Sequence, residues 1–167
     1  MIRVLLVVAL LAGCGGSGAG APDRTERPEP TETPSPWPEE FEEWVCAASD
    51  TMRLDVSPAL SDMIQAIELL DTPAAIDASD RIGDGAAQVL EFLELAPEWE
   101  PGTATVLHLR QWMTLLARGS NQISFGLTNN DSASIDAGLA DVNAGSTEAD
   151  YFSAELRLLQ AATGFVC

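Results

Sequence analysis

The feature that most restricts this chain is a recurrence of apolar residues at intervals of three and four, running from near Trp37 to the C-terminus. That spacing gathers apolar side chains on one face of a helix, whereas a strand needs alternation, and no run of six alternates cleanly. The first stretch carries Val45, Met52, Ala59 and Ala66 at one heptad position and Ser49, Val56, Met63 and Leu70 at the other. Its phase survives Ser57-Pro58, which predicts one long helix kinked at the proline, with two separate helices as the alternative. Glu39, Glu40, Glu42 and Glu43 stand in its first turns, where the positive end of the helix dipole favours carboxylates.

The second stretch opens at Thr72-Pro73, an N-cap and first-turn pair, and runs through Ala75, Ser79, Ile82, Ala86, Val89 and Leu93 to Ala96, before Pro97 ends it. The third spans about Thr103 to Leu127 with Leu109, Trp112, Leu116 and Ile123 on its seam. Asn129-Asn130-Asp131-Ser132 reads as a turn and cap. The fourth carries Ile135, Val142, Ala149, Phe152, Leu156, Leu159 and Val166, with Gly145-Ser146-Thr147 as a point where it could split. Four amphipathic helices joined by short loops predict an all-α fold, an up-down-up-down four-helix bundle over residues 37–167 with long first and last helices. Gly119, Gly126, Gly138 and Gly145 lie on the seams, so close backbone approach is expected there to offset a cost of about 1 kcal/mol each inside a helix. Gly83 and Gly85 have no account at this level.

Composition narrows the function classes. The chain has 167 residues, 46% of them hydrophobic, which is enough for one domain with a core. Aspartate and glutamate number 26 against 8 basic residues, all arginine, for a formal charge of −18, so the chain repels phosphate backbones and nucleic acid is excluded as a partner. One histidine and three cysteines are too few for most multi-residue zinc or iron sites, and no metal or cofactor is expected.

The N-terminus has a different character. Arg3 gives a positive start, and Val4 to Leu11 is an apolar run of eight residues, too short to span a bilayer as a helix. It ends in Leu11-Ala12-Gly13-Cys14, which resembles the lipobox of bacterial lipoproteins: an apolar residue, two small ones, then cysteine. The resemblance covers these first residues and implies that 1–13 are a signal peptide, that cleavage precedes Cys14, and that Cys14 is lipidated. It further implies a cell-membrane location on the extracytoplasmic face. Removal of Arg3 leaves the mature chain still more acidic, so acyl insertion rather than charge would hold it to an anionic leaflet. Residues 14–36 form the lipidated N-terminus and a Gly-, Pro-, Ser- and Glu-rich tether that cannot bury surface. Its reach is expected between about 25 Å as a coil and roughly 65 Å extended.

Cys46 and Cys167 remain, an even pair in a chain expected to be exported, which points to a disulfide. In an up-down bundle the start of the first helix and the end of the last lie at one end, which suits an internal bridge; an intermolecular bridge is the alternative.

Few other residues bear on chemistry. His108 has no carboxylate, cysteine or second histidine at i±3 or i±4 on its helix, so it reads as a helix-face residue near Trp112. Asp77, Asp80, Asp84 and Glu91 on the second helix, and Asp141, Glu148 and Glu155 on the fourth, read as solvated faces. Asp141-x-Asn143 opens like a calcium loop but has Phe152 at position twelve. No nucleophile elbow is present, and no catalytic residue is expected. The resulting expectation is a monomeric, non-enzymatic, lipid-anchored binding or accessory module with an unidentified protein partner. A small-molecule or cation carrier with a pocket between helices is the alternative, for which Asn121 and Gln122 would have to converge on a cavity.

Overall fold

The computed structural model describes residues 39–164. The signal, the tether, Cys14, Val166 and Cys167 lie outside the described residues. Five helical segments follow in chain order: α1 (Glu39–Thr51), α2 (Ser57–Glu68), α3 (Thr72–Glu94), α4 (Thr103–Asn129) and α5 (Ser132–Thr163). A π-helical turn, Met52–Val56, joins α1 to α2 without a break, so these two form one rod and the bundle has four. Among the described residues there is no strand. The all-α bundle expected from the spacing is the fold observed.

Proline explains the π turn. Pro58 has no N–H, and in a regular helix its ring would crowd the carbonyl of Leu54. The Ser57 N–H instead bonds the Met52 carbonyl, five residues back, which widens the turn just ahead of the proline. The rod stays continuous, as Thr51 and Ser57 both keep right-handed helical angles. Gly85 of α3 faces this bulge: a Cβ there would lie 2.9 Å from Val56 Cγ2. The glycine that had no account in the sequence makes room for the widened turn.

Sequential neighbours pack together: the first rod on α3, α3 on α4, and α4 most extensively on α5. The core holds the residues the periodicity selected, including Val45, Ala59, Met63, Ile82, Ala86, Val89, Leu109, Leu116 and Ile123. Burying a side chain of this size contributes about 1.5–3 kcal/mol, so the shared seam dominates over local helix propensity. At one end, Phe41 is fully buried with its ring centroid 5.3 Å from Trp44 and 5.0 Å from Trp99. Gly102 leaves room for the Phe41 ring, and Trp44 Nε1–H donates to the Phe92 carbonyl at 2.7 Å. These contacts tie the start of α1 to the end of α3 and to the α3–α4 connection.

The α4–α5 pair depends on glycine. A Cβ on Gly138 would lie 2.5 Å from the Gly119 carbonyl oxygen, and one on Gly119 would lie 2.7 Å from the Gly138 carbonyl oxygen. Gly126 is similarly closed off, with Ile135 Cγ1 at 2.6 Å and the Asp131 carbonyl at 2.7 Å from the added carbon. Gly145 differs: its nearest neighbour, Trp112 Cδ1, is at 3.4 Å, an ordinary contact. Close approach therefore holds for three of the four seam glycines. Gly145-Ser146-Thr147 does not split α5.

Helix ends show where local chemistry departs from the expected boundaries. Asp71, not Thr72, caps α3, its carboxylate accepting from the Ala74 N–H at 3.2 Å. Asp131 caps α5, accepting from the Ala133 N–H at 3.1 Å and from the Ser134 hydroxyl at 2.7 Å. Asn130, at φ 54°, takes the left-handed position that ends α4. Leu70, expected on the first seam, is instead 88% exposed at φ 57°. It closes a Schellman turn in which the Asp71 N–H bonds the Ala66 carbonyl at 2.8 Å and the Leu70 N–H bonds Ile67 at 3.2 Å. The helix ends one turn too early for Leu70 to reach the core.

Arginines sit where successive helices meet. Arg81 of α3 bonds Asp62 of α2 at 2.9 Å, Arg110 of α4 bonds Glu94 of α3 at 2.8 Å, and Arg118 of α4 bonds Asp141 of α5 at 2.5 Å. Exposed pairs of this kind contribute at most about 1 kcal/mol each, so their role is to relieve repulsion and fix rotation more than to stabilise.

Two substitutions test this packing. Gly138→Ala is expected to cost about 3 kcal/mol in urea unfolding, because its Cβ meets backbone that cannot move aside, whereas Gly145→Ala is expected to be neutral or slightly stabilising. Equal effects would contradict the account. Leu70→Asn is expected to raise stability by about 0.5–1 kcal/mol, since asparagine tolerates the left-handed position and no packing is lost; a lower melting midpoint would count against it.

Candidate functional site

The polar groups that the fold brings together lie along the α4–α5 seam. His108 projects from α4 and Glu148 from α5, with Nδ1 and Oε2 2.8 Å apart and side chains 25% and 22% exposed. A carboxylate there accepts from Nδ1–H, which fixes the ring and leaves Nε2 as the second polar position of the imidazole. Tyr151 packs over the ring at a centroid separation of 5.2 Å. Ten residues along α4, Arg118 donates through Nε and a terminal nitrogen to both oxygens of Asp141, each at 2.5 Å. This fork geometry fixes the rotation of α5 against α4.

The row Asp141, Glu148, Glu155 was expected to face solvent, and for its first two members the structure corrects this. The Asp141 side chain is 17% exposed and Glu148 22%, each turned toward a cation or imidazole on α4. Spacing along α5 gave the row. Its partners come from an antiparallel helix some forty and twenty-three residues away in sequence, which no single-helix reading supplies. The matching signal was present as the ten-residue interval between His108 and Arg118 running against the seven-residue interval between Glu148 and Asp141. Asp77, Asp80, Asp84 and Glu91 on α3 are exposed as expected, with Asp77 bonding Arg81 at 3.1 Å.

Cys46 is half-buried against the core and is disulfide-bonded. Its expected partner Cys167, and the expected lipidation residue Cys14, lie outside the described residues. Asn121 is exposed, and Gln122 is half-buried with its Oε1 buried and without a hydrogen-bond partner. Neither lines the groove between α3 and α4.

A groove of about 570 Å³ lies where α3 passes into α4, lined by Ala96, Pro97, Trp99, Val106, Leu107 and Arg110 among others. In the sequence, Glu98-Trp99-Glu100-Pro101-Gly102 reads only as a connection. Arg110 at its edge is engaged by Glu94 and by the Leu93 carbonyl at 3.3 Å. Among the described residues no group of three or more His, Cys, Asp or Glu is placed to hold a metal ion.

The electrostatics give a pH dependence of known sign. The Arg118 hydrogen bonds hold the Asp141 carboxyl below its ordinary value, with the guanidinium charge acting in the same direction against desolvation. A depressed folded-state value means the stabilisation is present above the unfolded carboxylate pKa of about 3.9 and is lost as pH falls through the folded one. Asp141→Asn is therefore expected to lower stability at neutral pH and to converge with the parent at the acid end of a urea-unfolding series. A constant offset at every pH would contradict the assignment.

Comparison of the chain with protein-family models, with curated proteins and with solved structures gives no match.

Proposed function

We propose that the chain is a lipid-anchored bacterial lipoprotein of the extracytoplasmic face, whose helical body serves as a non-enzymatic binding or accessory module. The observation that carries this reading is Leu11-Ala12-Gly13-Cys14 at the end of a charged start and an eight-residue apolar run. Acyl chains on Cys14 would anchor the chain by insertion, and the 24 residues between Cys14 and Glu39 would carry the bundle away from the surface. Among the described residues no helix is long and apolar enough to cross a membrane. A core of buried apolar side chains and the exposed Asn121 support a role exercised through the outer surface, whereas the half-buried Gln122 does not add to it.

A carrier of a small apolar molecule is the second reading, favoured by the α3–α4 groove, whose volume falls in the range of ligand sites. It is compatible with the same anchorage.

Mass spectrometry of the native protein tests the anchor. The expected product begins at Cys14 with acyl mass on that residue, and Cys14→Ser should move the protein from the membrane fraction to the soluble one. An unacylated product retaining residues 1–13 would overturn the reading.

A further inference from the structure

The helix α4 contains no aspartate or glutamate in its 27 residues, in a chain that carries 26 of them. Its exposed positions Leu107, Gln111, Thr114, Arg118, Asn121 and Phe125 are spaced four, three, four, three and four. That is a second heptad seam on the side of α4 opposite its core positions, with Arg118 reaching across to Asp141 of α5 and Asn121 Oδ1 3.3 Å from where a Cβ on Gly83 of α3 would stand. Leu107 is 49% and Phe125 57% exposed, so two large apolar side chains stand in water at its two ends. Two carboxylates of α5 that turn toward α4 are engaged, Asp141 by Arg118 and Glu148 by His108, while Asp80, Asp84 and Glu91 of α3 stay exposed on the other flank. Farther round, α5 exposes Ala137, Ala140 and Ala144, whose small side chains leave room for another helix.

We propose that this face pairs with the same face of a second copy of the chain, the two α4 helices lying antiparallel about a two-fold axis between Thr114 and Arg118. The order of chemistry along the seam is what identifies the occupant. Read from either end it runs apolar, amide, centre, amide, apolar. Under the two-fold, Leu107 meets Phe125 of the second copy, Gln111 meets Asn121, and the Thr114 hydroxyl meets the Arg118 guanidinium. An isologous interface requires this self-complementarity, because each contact must occur twice. Charge favours the same occupant. Two bodies of net charge −18 repel over most of their surface, and the acid-free helix is the face on which they approach at least cost. This replaces the single copy expected from the sequence and does not depend on the lipid anchor.

Sedimentation velocity tests the pairing on the chain from position 14 carrying Cys14→Ser, with reductant present, across a micromolar concentration series. The expected result is a concentration-dependent monomer–dimer equilibrium. Leu107→Arg and Phe125→Glu, each at an exposed position, should weaken it by about tenfold or more with melting unchanged. Combining them in one chain should restore the dimer, because an arginine–glutamate pair then forms twice across the axis, once for each copy. A monomer at every concentration, a dimer that exists only without reductant, or a double variant that stays dissociated would overturn the proposal.

Discussion

The contact on which the rest of the molecule depends is the crossing of α4 and α5 at Gly119 and Gly138, where each backbone carbonyl occupies the space of the other glycine's missing side chain. Two helices this close gain dense packing along their length, and Val142 and Ile123 are held against the crossing. The arrangement has a narrow tolerance, because backbone oxygen cannot rotate away as a side chain would. It also brings polar groups of the two helices into bonding range. Arg118, beside Gly119, reaches Asp141, three residues from Gly138, and His108 reaches Glu148 farther along the same pair of helices.

Charge sets the second constraint. A body with so large an acidic excess resists compaction, and three of its five described arginines, Arg81, Arg110 and Arg118, stand at three successive helix boundaries. Each meets a carboxylate of the neighbouring helix, Asp62, Glu94 and Asp141 in turn. The acid-free character of α4 follows from the same arrangement: it is the rod that receives α3 on one side and α5 on the other, and it supplies cations to both. Apart from Arg118, its exposed positions Leu107, Gln111, Thr114, Asn121 and Phe125 carry no charge.

Much of this was legible in the sequence, for reasons that differ by element. Period and punctuation located α3 and α4 closely, because Ile82, Val89, Leu109 and Leu116 repeat without competing signals between Pro73, Pro97 and Asn130. The seam glycines were legible because glycine on an apolar face has few other uses. Gly85 was not, since its partner is the bulge that Pro58 induces in another helix. Leu70 misled because heptad phase takes no account of a helix that stops. The polar seam was half legible: Asp141 and Glu148 gave the spacing, but whether a row faces water or a neighbour is decided by tertiary register. The α3–α4 groove is lined by Trp99 of the connection and Leu107 of α4, and no local pattern announces it.

Native-state amide hydrogen exchange addresses the central contact most directly. If the glycine crossing is the keystone, the amides of Gly119, Ile123, Gly138 and Val142 should be among the slowest and should exchange only through global unfolding. Exchange of the first half of α5 at a free energy well below that of α3 and α4 would contradict the account, since α5 would then detach while the remaining rods stayed folded.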